Sequence, residues 1–129
     1  MASMMEAKYL EFFYSTVERV KKILSVEIPI ERYDHSLIRG HHNALGICHG
    51  TADNYGKNWK PVKITIDNQF IEECYIMEYE NGWWLKDLLR GKNLVSVLCH
   101  EIAHITVFRH GKRHSELSQQ LFAKVNNAF

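Results

Sequence analysis

The sequence has few of the residues that break or crosslink a chain. Two prolines and seven glycines in 129 residues are too few for a collagen-like or a Pro/Gly-rich disordered protein. Its three cysteines, Cys48, Cys74 and Cys99, form no CxxC pair, which excludes a zinc ribbon and a thioredoxin-type redox motif. An odd number of widely spaced cysteines indicates mostly buried thiols in a reducing compartment. We therefore expect an intracellular, cytoplasmic protein.

Long apolar runs and a strong net charge are also lacking. No apolar run approaches the roughly 20 residues that cross a bilayer, and the N-terminal stretch MASMMEAKYLEFF lacks the basic and apolar regions of a signal peptide. We predict no membrane partner. Because 16 Lys and Arg face 15 Asp and Glu, the charge excludes a strongly basic nucleic-acid-binding arm. A nucleic-acid partner stays possible, but the charge does not support it.

What the chain does have is enough length and apolar content for a single domain over residues 1–129. Residues 5–24 carry an apolar stripe at helical spacing. Residues 30–42 are irregular and predict a loop or a short strand. Residues 43–50 (NALGICHG) predict a strand, and alternation over 62–66 predicts a second that pairs with it antiparallel.

The rest of the chain predicts further helices and an α+β fold. Residues 69–90 are ambiguous, because Asn81-Gly82 suits a hairpin turn while 84–90 could form a helix. Residues 91–109 predict a helix that Asn93 can cap, and its nearly uniform apolar surface places it inside the domain. Residues 115–125 predict a final amphipathic helix. The expected fold packs an N-terminal helix and a short antiparallel sheet around the buried helix, and the final helix closes the site.

The buried helix carries His100-Glu101-Ile102-Ala103-His104, an HExxH motif. Residues four apart lie on one face of a helix, so the two imidazoles can bind one tetrahedral Zn²⁺. Glu101 then lies beside the open fourth position, where it can take a proton from water on the metal. The motif therefore predicts a catalytic zinc site with Glu101 as general base.

A zinc site of this kind needs a third protein ligand, for which the chain offers His110 and His114. A step of six residues rotates by about 240° on an unbroken helix, so the chain must turn after about Phe108 before His110 can reach the metal. His114 lies four residues after His110 and would share its face on a new helix. Either histidine can be the ligand, and the other can orient it or face the substrate.

The stretch CHEIAHITVFRHGKRH resembles the active-site segment of the SprT-like zinc metallopeptidases and their WLM-type relatives. In that family HExxH is followed by HG, which supplies the third zinc ligand, and His110-Gly111 matches it. His114 stands where the family usually has Phe or Trp. The resemblance covers roughly residues 43–121. It implies a small zincin-like domain, Zn²⁺ as cofactor, a protein or peptide substrate, and His100, His104 and His110 as ligands.

Two other zinc-peptidase groups fit less well. Metzincins also place a third His six residues on, but they need Gly at the position of Val107 and a Met-turn downstream, and no Met follows Met77. Classical gluzincins use a distant downstream Glu, whereas Glu116 is the only Glu after Glu101. Outside the peptidases, the alternatives are a non-catalytic zinc-binding interaction module and a zinc hydrolase of a non-peptide substrate. The intact Glu101 favours an enzyme, because a structural site does not need it.

Several other residues invite a functional interpretation. Tyr55 and His114 are candidates for stabilising an oxyanion. Trp59, Trp83 and Trp84 could line a substrate groove, although such residues more often serve packing. The basic group Arg109, Lys112 and Arg113 could steer an acidic substrate, although a solvated turn is the more usual role. His35, His41, His42 and His49 fit no standard metal spacing, so we predict surface or loop roles for them.

Overall fold

A computed structural model of the chain describes residues 4–53 and 57–128. It confirms a small mixed α+β architecture of five α-helices and a three-stranded sheet over these residues. A zincin-like identity stays a prediction. The elements in chain order are α1 (Met4–Leu24), β1 (Ile30–Tyr33), a 3₁₀ turn (His35–Leu37), β2 (Gly46–Thr51), β3 (Lys60–Asp67), α2 (Asn68–Tyr79), α3 (Leu85–Leu88), α4 (Leu94–Ala103) and α5 (Lys112–Ala128).

The sheet has the strand order β1-β3-β2. The predicted antiparallel pair is confirmed, because β2 runs antiparallel to β3 with Cys48 opposite Ile64. The prediction of a purely antiparallel sheet is wrong, because β1 joins the other side of β3 in parallel, with Ile30 opposite Ile64. Parallel strands need a long connection, and here that connection includes β2. Strand β2 therefore forms an edge of the sheet.

The core lies between α1, the sheet and α4. Phe13, Val17 and Val20 recur at helical spacing along α1 and are buried, as the apolar stripe predicts. Helix α4 is the most apolar of the helices, with Leu94, Leu98 and five further buried residues among its ten. It packs against α1, α5 and β2. This central position places the HExxH motif at the junction of the sheet with two helices.

Of the two interpretations left open for residues 69–90, the structure contradicts the hairpin turn at Asn81-Gly82. Residues 69–90 instead contain α2 and the short α3, the latter inside the helix considered for 84–90. The Asn81-Gly82 pair ends α2, since the backbone N–H groups of Glu80 and Gly82 both donate to the Ile76 carbonyl. Asn81 takes a left-handed conformation with φ 59°, which Asn tolerates better than most residues. A residue pair that is typical of a hairpin turn thus ends a helix here.

The two helices around the motif differ from their predicted bounds. Helix α4 ends at Ala103, short of the predicted Arg109, and α5 begins at Lys112 instead of Ser115. The N–H groups of His104 and Ile105 donate three residues back, to Glu101 and Ile102, which tightens and ends the last turn. None of the helices in the described part of the chain is long and apolar enough to cross a membrane.

Candidate metal centre

Helix α4 presents the motif from a firmly capped start. The Asn93 side chain accepts a hydrogen bond from the Ser96 N–H at 2.8 Å, and the Ser96 hydroxyl accepts one from the Asn93 N–H at 2.9 Å. This reciprocal pair is a capping box, which satisfies donors that a helix start leaves free. The N-cap predicted at Asn93 is confirmed. Two turns later the helix delivers His100 and His104 to one face.

The segment after α4 returns the chain to the same face. The Trp59 indole N–H donates to the His104 carbonyl at 2.6 Å, and the Trp59 ring packs on Phe108 with centroids 4.7 Å apart. These contacts hold the carbonyl at the end of α4 and the start of the connection. The connection then brings His110 back over His100 and His104.

Three imidazole nitrogens of one kind converge at this point. The Nε2 atom of His110 lies 3.2 Å from Nε2 of His100 and 3.0 Å from Nε2 of His104. Three ligands of one tetrahedral Zn²⁺ at 2.0–2.1 Å are separated by about 3.3 Å. A single hydrogen on His110 Nε2 can serve only one of the two neighbours. These distances therefore fit three ligands of one cation better than they fit three imidazoles that hydrogen-bond to each other.

Hydrogen bonds to carbonyls show which ring nitrogens carry hydrogen. Because a carbonyl only accepts, the 2.9 Å contact from His104 Nδ1 to the Val107 carbonyl requires hydrogen on Nδ1. The Nε2 atom of His104 is then left with its lone pair, which is the form that binds metal. In His114 the hydrogen is on the other ring nitrogen, because Nε2 donates to the His100 carbonyl at 2.8 Å. Its Nε2 is thus engaged away from the cluster.

His114 nevertheless belongs to the cluster. Each of His100, His104 and His114 offers a ligand atom within 4.8 Å of the others, so these three could also hold a metal ion. The His114 ring is buried and stacks on His104 with centroids 3.9 Å apart. Since its Nε2 is bonded to the His100 carbonyl, His114 would have to coordinate through Nδ1. The structure thus brings four histidines together and offers two possible third ligands.

Burial favours the neutral form, which metals require, in the two histidines of the motif. Burial, with the neighbouring His114, His104 and His110, lowers the pKa of His100 to about 4. Burial likewise lowers the pKa of His104, although its hydrogen bond to Val107 partly opposes the shift. Both ligands predicted on α4 are therefore ready to bind a cation at neutral pH.

Glu101 lies in a buried seat beside the histidines. It is 5% exposed, and its Oε2 lies 4.0 Å from Nε2 of His100. Burial raises the pKa of Glu101 to about 7, although a hydrogen bond from the Cys48 backbone N–H partly opposes the shift. Gly46 makes room for the side chain, because a Cβ on Gly46 would lie 2.8 Å from Cγ of Glu101. Such a carboxyl can both accept and release a proton near neutral pH.

A cleft of about 400 Å³ opens onto the histidines and Glu101. Trp59 and Phe108 lie on one of its walls and β2 residues lie on another. Trp59 thus takes the cleft-lining role that was one of its two interpretations. His41 also lines the cleft, although its spacing from the motif gave no reason to expect it there. Only the fold of the connection before β2 could have placed it.

The other sequence candidates lie elsewhere. Trp83 and Trp84 are exposed beside α3 and line none of the clefts at the motif. Tyr55 lies outside the described residues. The exposed Arg109, Lys112 and Arg113 flank the return of the chain to the motif. Whether they steer a substrate stays a prediction.

The surface or loop role predicted for His35 is wrong. Its ring is fully buried. Burial is tolerated because both ring nitrogens have hydrogen-bond partners: Nδ1 contacts the Ala44 carbonyl at 2.7 Å and Nε2 contacts the Thr65 hydroxyl at 2.8 Å. His49 Nε2 bonds the same hydroxyl at 2.7 Å. In the described residues this group forms no metal-ligand cluster with His41 or His42. It instead holds Ala44, two residues before Gly46.

The comparisons with protein-family models, curated proteins and solved structures found no match for this chain. The resemblance to SprT-like metallopeptidases therefore stays a prediction from the motif. The function has to be argued from the four histidines, Glu101 and the cleft.

Proposed function

We propose that this protein is a zinc-dependent metallopeptidase. The observation that carries the proposal is the convergence of the Nε2 atoms of His100, His104 and His110, at 3.0 and 3.2 Å from His110, beside the buried carboxyl of Glu101. This combination places a metal site beside a proton acceptor, and both line the same cleft. A solvent-exposed set of histidines would provide neither the fixed geometry nor the raised carboxyl pKa.

The donor set fits zinc. Neutral imidazoles suit Zn²⁺ better than they suit Ca²⁺ or Mg²⁺, which prefer oxygen ligands. Three protein ligands leave one position open, as in catalytic sites, whereas structural sites usually close with four. When bound, Zn²⁺ would polarise the substrate carbonyl and increase the acidity of water. We assign His100, His104 and His110 as the ligands and His114 as the group that positions α4 through the His100 carbonyl.

Glu101 is the proposed general base and acid. Its carboxyl lies close enough to His100 to meet a water molecule at the histidine cluster. It would accept a proton from the attacking water and then donate that proton to the leaving amine. The seat formed by Gly46 and the Cys48 N–H fixes the direction of the carboxyl, so little reorganisation is needed during proton transfer.

A peptide is the substrate that the cleft supports best. A second cavity of about 410 Å³ also touches His100, Glu101, Ala44 and Gly46, and we propose that the two cavities are the two sides of one path past Glu101. An extended chain needs such a path, whereas a small ligand usually binds in one enclosed pocket. A purely structural zinc site would gain nothing from burying Glu101, because a buried carboxyl costs stability.

The Glu101→Gln variant tests this proposal. Glutamine keeps the size of the side chain but cannot act as a base, so we expect full zinc content and a loss of peptide hydrolysis of about 10²- to 10⁴-fold. The measurements are elemental analysis and cleavage of an unfolded protein substrate by the zinc-loaded enzyme. Glu11→Gln, which makes the same change on an exposed position of α1, is the matched control and should retain activity.

Three outcomes would contradict the proposal. The purified protein could bind no transition metal, the zinc-loaded protein could cleave none of the substrates tried, or Glu101→Gln could cleave as fast as the wild type. The second outcome, with zinc bound, would favour the non-catalytic zinc-binding module.

A further inference from the structure

The two cavities beside Glu101, which form the two halves of the proposed groove, have unlike linings. Both halves share Ala44, Gly46, His100 and Glu101. Beyond these shared residues, Trp59 and Phe108 dominate one side, which we call the aromatic half. The other side, the polar half, adds four residues with side-chain hydrogen-bond donors: Asn43, Lys92, Ser96 and Ser118.

Lys92 gives the polar half a positive charge. It is exposed and makes no ion pair with any residue that the structure describes. Lys92 and His100 both line this half, so the ammonium lies on the same cavity as the proposed metal site. Among the described residues, Glu101 is the only acidic one that lines this half, and its carboxyl accepts the Cys48 N–H.

The remaining donors differ in whether they are available. Ser96 also lines the polar half, but its hydroxyl is occupied because it donates to the Asn93 carbonyl at 2.9 Å and accepts the Asn93 N–H. Asn43 and Ser118 have no such capping role among the residues that the structure describes. The polar half therefore offers an ammonium, an amide and a hydroxyl, each of which can donate to an anionic group.

We propose that the polar half binds a carboxylate of the substrate next to the bond that is cleaved, with Lys92 as the specificity-determining residue. The carboxylate can belong to an Asp or Glu side chain or to the C-terminus of the peptide. The reaction in this statement rests on the proposed peptidase function, whereas the binding of the carboxylate does not. A basic side chain in the same place would meet Lys92 with like charge and be rejected.

The test measures binding apart from cleavage. The Glu101→Gln protein, loaded with zinc, is titrated with fluorescein-labelled peptides that are identical except for one residue, which is Glu, Gln or Lys and is moved along the sequence. The peptides have amidated C-termini, and a second set with Gln has free carboxyl termini. We expect Glu to bind about fivefold more tightly than Gln in at least one register at low salt, with Lys weakest. The preference should shrink as salt rises.

Lys92→Glu in the same protein should reverse the order, so that the Lys peptide binds most tightly. Lys124→Glu, which makes the same charge change at an exposed position of α5 outside the groove, should leave the order unchanged. A preference confined to the free-carboxyl set would identify the C-terminus as the source of the carboxylate. Equal binding of Glu and Gln in all registers and both sets, or a preference that survives Lys92→Glu, would overturn the proposal.

The failure of the peptidase proposal would look different. If the carboxylate preference depends on Lys92 while the zinc-loaded wild type cleaves none of these peptides, the polar half is a binding site and the proposed reaction is wrong. If the wild type cleaves Glu, Gln and Lys peptides equally, the reaction stands and the carboxylate site is wrong.

Discussion

Glu101 and Gly46 fit each other so closely that there is no space for a methyl group between them. A Cβ on Gly46 would lie 2.8 Å from Cγ and 3.1 Å from Oε2 of Glu101, and 3.0 Å from Cγ1 of Val97. Real side chains do not approach so closely, so the Glu101 carboxyl would have to leave the Cys48 N–H. The exact direction of the proposed base thus depends on a residue with no side chain.

We therefore expect Gly46→Ala to retain zinc and to lose about 10²-fold in peptide hydrolysis, because a displacement of about 1 Å at a reacting group has effects of that size. The measurement is kcat with zinc content determined in the same preparation. In the Glu101→Gln background the same substitution should cost little further activity, since the base is already gone. Independent, multiplicative losses in the double variant would show that Gly46 acts elsewhere.

The choice between His110 and His114 is also decided by single atoms. The Nε2 atom of His110 contacts both histidines of the motif, whereas the Nε2 atom of His114 donates to the His100 carbonyl. We expect His110→Ala to release zinc and His114→Ala to retain most of it, because losing a residue that only orients the ligands typically costs about 10- to 100-fold in affinity. Competition with a chromogenic chelator measures both affinities.

His42→Ala, at an exposed histidine outside the cluster, controls for the loss of an imidazole and should bind zinc like the wild type. If His114→Ala loses the metal and His110→Ala keeps it, His114 is the third ligand through Nδ1. The proposed peptidase function would survive that result with a different ligand set.

At the scale of the element, α4 depends on its capped start. The Asn93–Ser96 box satisfies backbone donors at one end, while the other end stops within a turn of the motif. We expect Asn93→Ala to lower the free energy of unfolding by about 1 kcal/mol, as measured by urea denaturation of the metal-free protein. Asn127→Ala, at an exposed position near the end of α5, should change it by less than about 0.5 kcal/mol. Equal effects of the two substitutions would mean that the box does not stabilise α4.

Elements with a strong local pattern could be predicted from the sequence. The apolar stripe located α1 almost to its ends, and the alternation over 62–66 located β3, because burial of one face determines both patterns. The i, i+4 spacing placed His100 and His104 together for the same reason. The parallel pairing of β1 with β3 could not be predicted, since it depends on residues more than thirty positions apart. Helix α2 was not predicted because its apolar residues are not confined to one clear face.

The unpredicted part of the site has the same physical origin. The end of α4 at Ala103 and the return of His110 depend on Trp59, whose indole reaches the His104 carbonyl from 45 positions away. The seat of Glu101 depends on Gly46 and the Cys48 N–H at the edge of the sheet. The HExxH motif identifies the residues proposed to do the chemistry, whereas these distant contacts orient them.

At the scale of the whole molecule, a bound metal should tie helix α4 to the connection between α4 and α5. His100 and His104 lie on α4, and His110 lies on the connection to α5. A ligand that binds only the folded state stabilises it by about 3 kcal/mol at 100 times its Kd, which corresponds to a rise in Tm on the order of ten degrees for a chain of this size.

We expect this rise on adding zinc to the chelator-treated protein, as measured by calorimetry, and its loss on adding the chelator again. His104→Ala should show a far smaller rise, and Mg²⁺ should not replace zinc. A Tm that zinc leaves unchanged in the wild type would contradict a metal site that spans α4 and the connection to α5.

The order of the ligands along the chain has a consequence for synthesis. The ribosome releases Gly46 and Cys48 first, then α4 with two of the three proposed ligands, and only afterwards His110 and the helix that carries His114. A nascent chain that stops at α4 has a pair of histidines and a carboxyl without their partners, and two imidazoles hold zinc weakly. The proposed zinc site is therefore incomplete until His110 has left the ribosome, and the proposed activity cannot begin before that point.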